Sequence, residues 1–130
     1  MLKFREINLN PKGKKTCDCV IRAIANAAEV DYYKVYEDLY KISVETGYMI
    51  NEKRCEEKLL AKYGFIKMKQ PKKCDGSKYE IGELDQLINS KNENVVASCA
   101  HHLTCIKDNE VQDLWDCRYK CVGNYYVLKK

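Results

Sequence analysis

The residues able to do chemistry fall in three places along the chain. Cys19 heads a run, Cys19-Val20-Ile21-Arg22-Ala23-Ile24-Ala25, that is apolar at almost every position. Far downstream come His101-His102-Leu103-Thr104-Cys105-Ile106 and then Asp113-Leu114-Trp115-Asp116. A thiol, an imidazole and a carboxylate can divide the labour of nucleophilic catalysis: the thiolate attacks a carbonyl, the imidazole carries the proton, and the third group fixes the ring. A free thiol is mostly protonated at neutral pH, so the nucleophile needs help. The start of a helix gives partial positive charge and unpaired amides, and a nearby imidazolium lowers the thiol further.

On this reading Cys19 is the nucleophile, because the apolar helical run follows it at once. Cys17 lies two residues earlier, in the loop, and is a candidate resolving thiol for an oxidised Cys19. His102 is the general base and acid, since it directly precedes the apolar strand-like run. Its neighbour His101 is expected on the opposite face of that strand. Asp113 is the expected orienter, carried by the next strand of the same hairpin, with Trp115 screening the imidazole–carboxylate bond from water. Asp116 is the alternative orienter.

The elements that must hold these groups are legible in the periodicity. A loose alternation over 2–9 reads as an edge strand, and Asn10-Pro11-Lys12-Gly13 breaks it. Residues 19–28 read as a buried helix with Thr16 or Asp18 as cap. Arg22 is its odd residue, a guanidinium that must find partners if buried. A second helix follows Asp31, with Tyr32, Val35, Tyr36, Leu39 and Ile42 as its apolar stripe and Gly47 as its stop. A third covers 51–63 with Cys55, Leu59 and Leu60 inward. Residues 65–69 read as a strand and 81–88 as a short helix with Leu84, Leu87 and Ile88 inward. Strands are expected over 95–99, 103–107, 110–115 and 125–128, with Asp108-Asn109 as a hairpin turn. Helices first and then an antiparallel meander give an α+β fold, helices packed on one side of the sheet.

The 130 residues suit a single domain, 1–130, and 45% hydrophobic residues favour a packed core. No run is apolar and long enough to span a bilayer, and the charged first ten residues do not read as a signal peptide. A cytoplasmic location is expected, with most of the eight cysteines as free thiols. The net charge of +4 is mild. The lysine clusters at 12, 14 and 15 and at 67, 69, 72 and 73 read as solvated loops, so neither nucleic acid nor membrane is the expected partner. An alternative use of the cysteines is a four-thiolate zinc site from Cys17, Cys19, Cys117 and Cys121. The leading reading requires no cofactor and no metal.

The segment Asp18-Cys19-Val20-Ile21-Arg22-Ala23-Ile24-Ala25, a histidine before an aliphatic strand, and Asp113-Leu114-Trp115-Asp116 together resemble the papain-like cysteine peptidase superfamily. The cysteine motif also resembles that of small papain-like proteins from phages and their bacterial hosts. In papain-type enzymes the third motif reads Asn-Ser-Trp-Gly, with the same one-residue gap before tryptophan. The resemblance implies a buried Cys-bearing helix packed on a C-terminal antiparallel sheet. It also implies thiol-based hydrolysis of a peptide, isopeptide or amide bond through an acyl-enzyme, on a specific protein or peptide substrate. For a phage-encoded chain the setting would be the host cytoplasm. The family's oxyanion glutamine, six residues before the nucleophile, is replaced here by Gly13, and Asn10 is a candidate substitute if the loop folds back. Without that donor the fold would serve as a non-catalytic binding module for a host protein.

Overall fold

The alanine-rich run after Asp18 forms α1 (Cys19–Ala28), with Ile21, Ala23, Ile24, Ala25 and Ala27 buried. The computed structural model describes residues 1–130. The small alanines of α1 let the sheet and the next helix approach closely. In α2 (Tyr32–Thr46), Asp31 accepts hydrogen bonds from the backbone N–H groups of Tyr33 and Lys34, and Gly47 closes the helix in the left-handed region. Val35 and Leu39 are buried, but Tyr36 is 45% exposed and does not complete the expected stripe. In α3 (Lys53–Lys62), Cys55, Leu59 and Leu60 point inward as their spacing predicts.

The strands are β1 (Lys3–Glu6), β2 (Ile66–Met68), β3 (Glu93–Cys99), β4 (His102–Lys107), β5 (Glu110–Asp113) and β6 (Tyr125–Lys129). They form one six-stranded sheet in the order β1-β5-β4-β3-β6-β2. The expectation of a purely antiparallel sheet is corrected at one edge. β1 runs parallel to β5, pairing Lys3 with Glu110 and Glu6 with Asp113. The chain leaves β1, builds the three helices and most of the meander, and only then lays β5 beside it; so long a connection permits the parallel direction. All other pairs are antiparallel. The class is α+β, with a mixed sheet.

Asp108 and Asn109, both at positive φ, make the tight β4–β5 turn. β5 stops at Asp113, so Trp115 lies beyond the strand.

The face of the sheet away from the α-helices is also covered. Leu2, Ile81, Leu84, Cys117 and Val122 pack there against Val95, Ile106 and Val111, giving a second core beside the helical one. Residues Ile81–Gln86 are a 3₁₀-helix rather than an α-helix, closed by reciprocal bonds between Glu80 and Glu83. Its Gly82 lies so close to the N-terminus that an added Cβ would meet Met1 Cγ at 2.8 Å. The shorter element leaves Leu87 42% exposed, against expectation. No helix is long and apolar enough to cross a membrane.

Candidate active site

Three expected site residues come together where α1 meets the ends of β4 and β5. Cys19 is the first residue of α1, His102 the first of β4 and Asp113 the last of β5. His102 Nε2 lies 2.6 Å from Asp113 Oδ2. The Cys19 thiol lies close enough to the His102 ring and to the backbone N–H of Leu103 to be lowered by both. The contact between residues 83 positions apart follows from the close packing of α1 on β4.

The electrostatics of the three groups agree. Burial alone would raise the Cys19 thiol, but the neighbouring His102 ring and Leu103 N–H outweigh it and hold the group below the ordinary thiol range. Burial would lower His102; the Asp113 bond and the contacts with Cys117 and Cys19 instead push it up to about 11. Asp113, also buried, is held below the usual carboxylate range chiefly by its bond from His102. A thiolate–imidazolium pair backed by a carboxylate is the protonation pattern these shifts describe.

A stability consequence follows from linkage. His102 binds its proton more tightly folded than unfolded, so its contribution is complete below the unfolded value of about 6.5 and is lost as pH rises toward the folded value. Asp113 has the opposite sign: its contribution is present above the unfolded carboxylate value and is lost as pH falls through the depressed folded one. In the wild-type chain the proton that His102 takes up on folding is offset by the one Cys19 gives up, so the decline shows cleanly where the thiol is absent: urea midpoints for Cys19→Ser should fall between about pH 6.5 and 10, and adding His102→Gln should remove that part of the decline. Equal declines in both chains would contradict the His102 assignment.

Arg22 finds the partners its burial demands. Its Nε donates to Asp18 Oδ1 at 2.7 Å and its Nη1 to Asp113 Oδ1 at 3.1 Å. Asp18 in turn accepts from Asn10 Nδ2 at 3.0 Å and from the Tyr32 hydroxyl at 2.8 Å. A charged knot thus ties the loop before Cys19 to α1, α2 and β5. Asn26 adds a second tie from α1 to β5 by donating to Gln112 Oε1 at 2.9 Å.

The knot also changes the helix start. Asp18 occupies the cap position, yet its side chain bonds no α1 amide. The Cys19 backbone N–H donates to no protein oxygen, which leaves it free beside the sulfur. Gly13 is exposed with nothing within 4 Å of an added Cβ. Asn10 does fold back, as the sequence allowed, but onto Asp18.

The remaining candidates separate clearly. His101 sits in the β3–β4 turn at φ 54, not on the strand, so strand alternation does not govern where it points. Asp116 is taken up by Arg118 at 2.9 Å and does not replace Asp113. Trp115 is not a core residue: it is 43% exposed and sets its ring edge against His102, centroids 4.9 Å apart at 78°. It covers the imidazole as a flap on the solvent side.

Cys117 was not foreseen as a neighbour of this site. It is fully buried, 4.0 Å from Asp113 Oδ2, and contacts both the His102 ring and Cys99. The Cys99 hydrogen bond and burial push its thiol far up. His102, Asp113 and Cys117 are the one group of three metal-binding residue types whose ligand atoms lie within 4.8 Å of one another. Since His102 and Asp113 bond each other directly, an ion there would have to break that bond. The four cysteines of the alternative zinc site are not gathered; Cys17 and Cys121 are exposed while Cys117 is buried.

No family model, no curated protein and no solved structure matches this chain. The functional reading therefore stands on the geometry alone.

Proposed function

We propose that the chain is a small thiol hydrolase of papain-like layout, acting on a peptide, isopeptide or amide carbonyl of a specific protein substrate. One arrangement carries this reading: a helix-start cysteine stands beside an imidazole that is bonded at 2.6 Å to a buried carboxylate. The thiolate of Cys19 adds to the carbonyl carbon, and the free Cys19 N–H faces the oxygen that gains charge. The imidazolium of His102 gives its proton to the leaving nitrogen, the C–N bond breaks, and a thioester remains. Water, deprotonated by the neutral imidazole, attacks the thioester; the carboxylic acid leaves and Cys19 returns to thiolate. Asp113 holds the ring throughout.

The space at Cys19 favours a substrate presented from outside. The cavity it lines is about 10 Å³, room for about one water and not for a peptide side chain. A protein surface segment could still bring its carbonyl to the half-buried sulfur.

Hydrolysis in water enriched in ¹⁸O tests the reading without knowledge of the substrate. A bacterial lysate treated with the wild-type chain should gain labelled carboxylates on particular proteins, found by mass spectrometry. Treatment with Cys19→Ala or His102→Ala should leave them unlabelled. Identical labelling with wild type and Cys19→Ala would overturn the hydrolase and leave a binding module.

A further inference from the structure

An open basin of about 500 Å³ lies along the loop that leads into Cys19. Lys12, Lys14 and Lys15 of that loop and Tyr32, Tyr33 and Tyr36 of α2 line it. The two lysine-rich stretches of the sequence differ in how they are used. In the second, two of the four are neutralised, Lys67 by Glu57 and Lys73 by Glu83, while Lys69 and Lys72 have no ion-pair partner. The three lysines of the basin have no such partner. The acids closest in sequence are already engaged: Asp18 by Arg22, Asn10 and Tyr32, and Asp31 by the first amides of α2.

The loop is also held in shape. Asn10 Oδ1 accepts from the backbone N–H groups of Lys12 at 2.9 Å and Lys14 at 3.3 Å, and Asn8 Nδ2 donates to Lys14 O at 3.1 Å. Gly13 at φ 65 makes the bend, its N–H bonded to Asn10 O at 2.9 Å. Three positive charges therefore stand on an ordered loop, which reduces the entropy lost when a ligand is held. Asn10 and Tyr32 belong to the basin wall and both donate to Asp18, the residue before Cys19. The basin and the candidate nucleophile share that wall.

We propose that this basin docks a carboxylate-rich stretch of the polypeptide substrate, and so selects acidic segments for attack by Cys19. The proposal rests on the hydrolase reading for its catalytic consequence, but the basin's preference for an acidic peptide is separately measurable. Charge complementarity names the ligand: glutamate or aspartate side chains meet the lysines, and their apolar stems lie on the tyrosine rings. Nucleic acid fits less well. Tyr32 and Tyr33 meet edge to face at 89°, which offers no flat pair for stacking bases.

The test uses two affinity labels on the full chain, bromoacetyl-tetraglutamate amide and bromoacetyl-tetraglutamine amide, with Cys19 labelling followed by mass spectrometry. The glutamate label should react about tenfold faster at low salt, and the ratio should fall toward one in 0.5 M sodium chloride. In the combined variant Lys12→Ser, Lys14→Ser, Lys15→Ser the ratio should also be close to one. Because each ratio is taken within one chain, a general change in thiol reactivity cancels. Equal rates in the wild type, or a ratio that survives the triple substitution, would overturn the proposal. So would an oligothymidylate that competes at lower concentration than tetraglutamate. Fluorescein-labelled tetraglutamate, titrated by anisotropy against Cys19→Ala, reads the basin with the nucleophile removed; binding there with an inert Cys19 in the wild type would sink the hydrolase and keep the basin.

Discussion

Iodoacetamide at pH 6 is expected to alkylate Cys19 ahead of the other cysteines, and His102→Ala to slow that reaction by roughly tenfold or more. Accessibility alone gives a different order. Cys17, Cys74 and Cys121 are exposed, whereas Cys19 is half-buried. A preference for Cys19 must therefore come from its thiolate fraction, and that fraction depends on the imidazole it touches. Below its pKa a thiol loses about tenfold in thiolate for each pH unit, so removal of His102 is felt most strongly under mildly acidic conditions. The wild-type rate should rise with an inflection below the ordinary thiol range, and the His102→Ala inflection should move upward, since burial then acts without the imidazolium. Cys55, Cys105 and Cys117 are buried and pushed up, and should stay unlabelled in the folded chain. Tandem mass spectrometry of a partial-labelling time course gives the order directly. Labelling that follows exposure in the wild type, with no change in His102→Ala, would remove the activated thiol.

How much of this arrangement the sequence disclosed depends on the range of each interaction. The bounds of α1, the Asp31 cap and the Asp108–Asn109 turn are local, set by spacing and by residues whose backbone preferences are strong, and they were readable. The places of Cys19 and His102, at a helix start and beside a strand start, were legible in the same way, but Asp113 was expected inside a strand over 110–115 that ends at it instead. The parallel pairing of β1 with β5 was not readable. The loose alternation over 2–9 marks an edge strand, but nothing in it names a partner more than a hundred positions away or the parallel direction. The second core was missed for a related reason: Leu2, Cys117 and Val122 lie in or beside irregular segments, where no period marks the inward side. Trp115 was expected to shield the imidazole and does contact it, but from the surface, because the strand ends two residues earlier. The Asp18–Arg22 spacing of four residues was a signal that could have been used; one helical turn places such a pair side by side. That Asp113 closes the same knot needed the fold.

Arg22→Met should destabilise the chain by about 3–5 kcal/mol, more than any surface substitution nearby, because it strands two buried carboxylates at once. Asp18 and Asp113 are each under 10% exposed and both rely on the guanidinium. The planar fork of arginine lets one group serve two acceptors, one on its own helix and one on β5. Arg22→Lys keeps the charge but offers a single point of contact, so it should recover only part of the loss. Urea unfolding at pH 7 measures each variant. The double variant Asp18→Asn, Arg22→Met separates lost packing from lost charge balance: if stranded charge dominates, adding Asp18→Asn should restore stability rather than lower it further. The same substitution reaches the site, since Asp113 would keep its bond to His102 while losing the anchor that fixes its other oxygen. The pH at which Cys19 alkylation turns on should then move in Arg22→Met even where the chain remains folded. A stability change below 1 kcal/mol would mean that water already screens the knot. An unmoved alkylation profile in a folded Arg22→Met chain would mean that His102 and the Leu114 N–H suffice to place Asp113, and that Arg22 serves the fold alone.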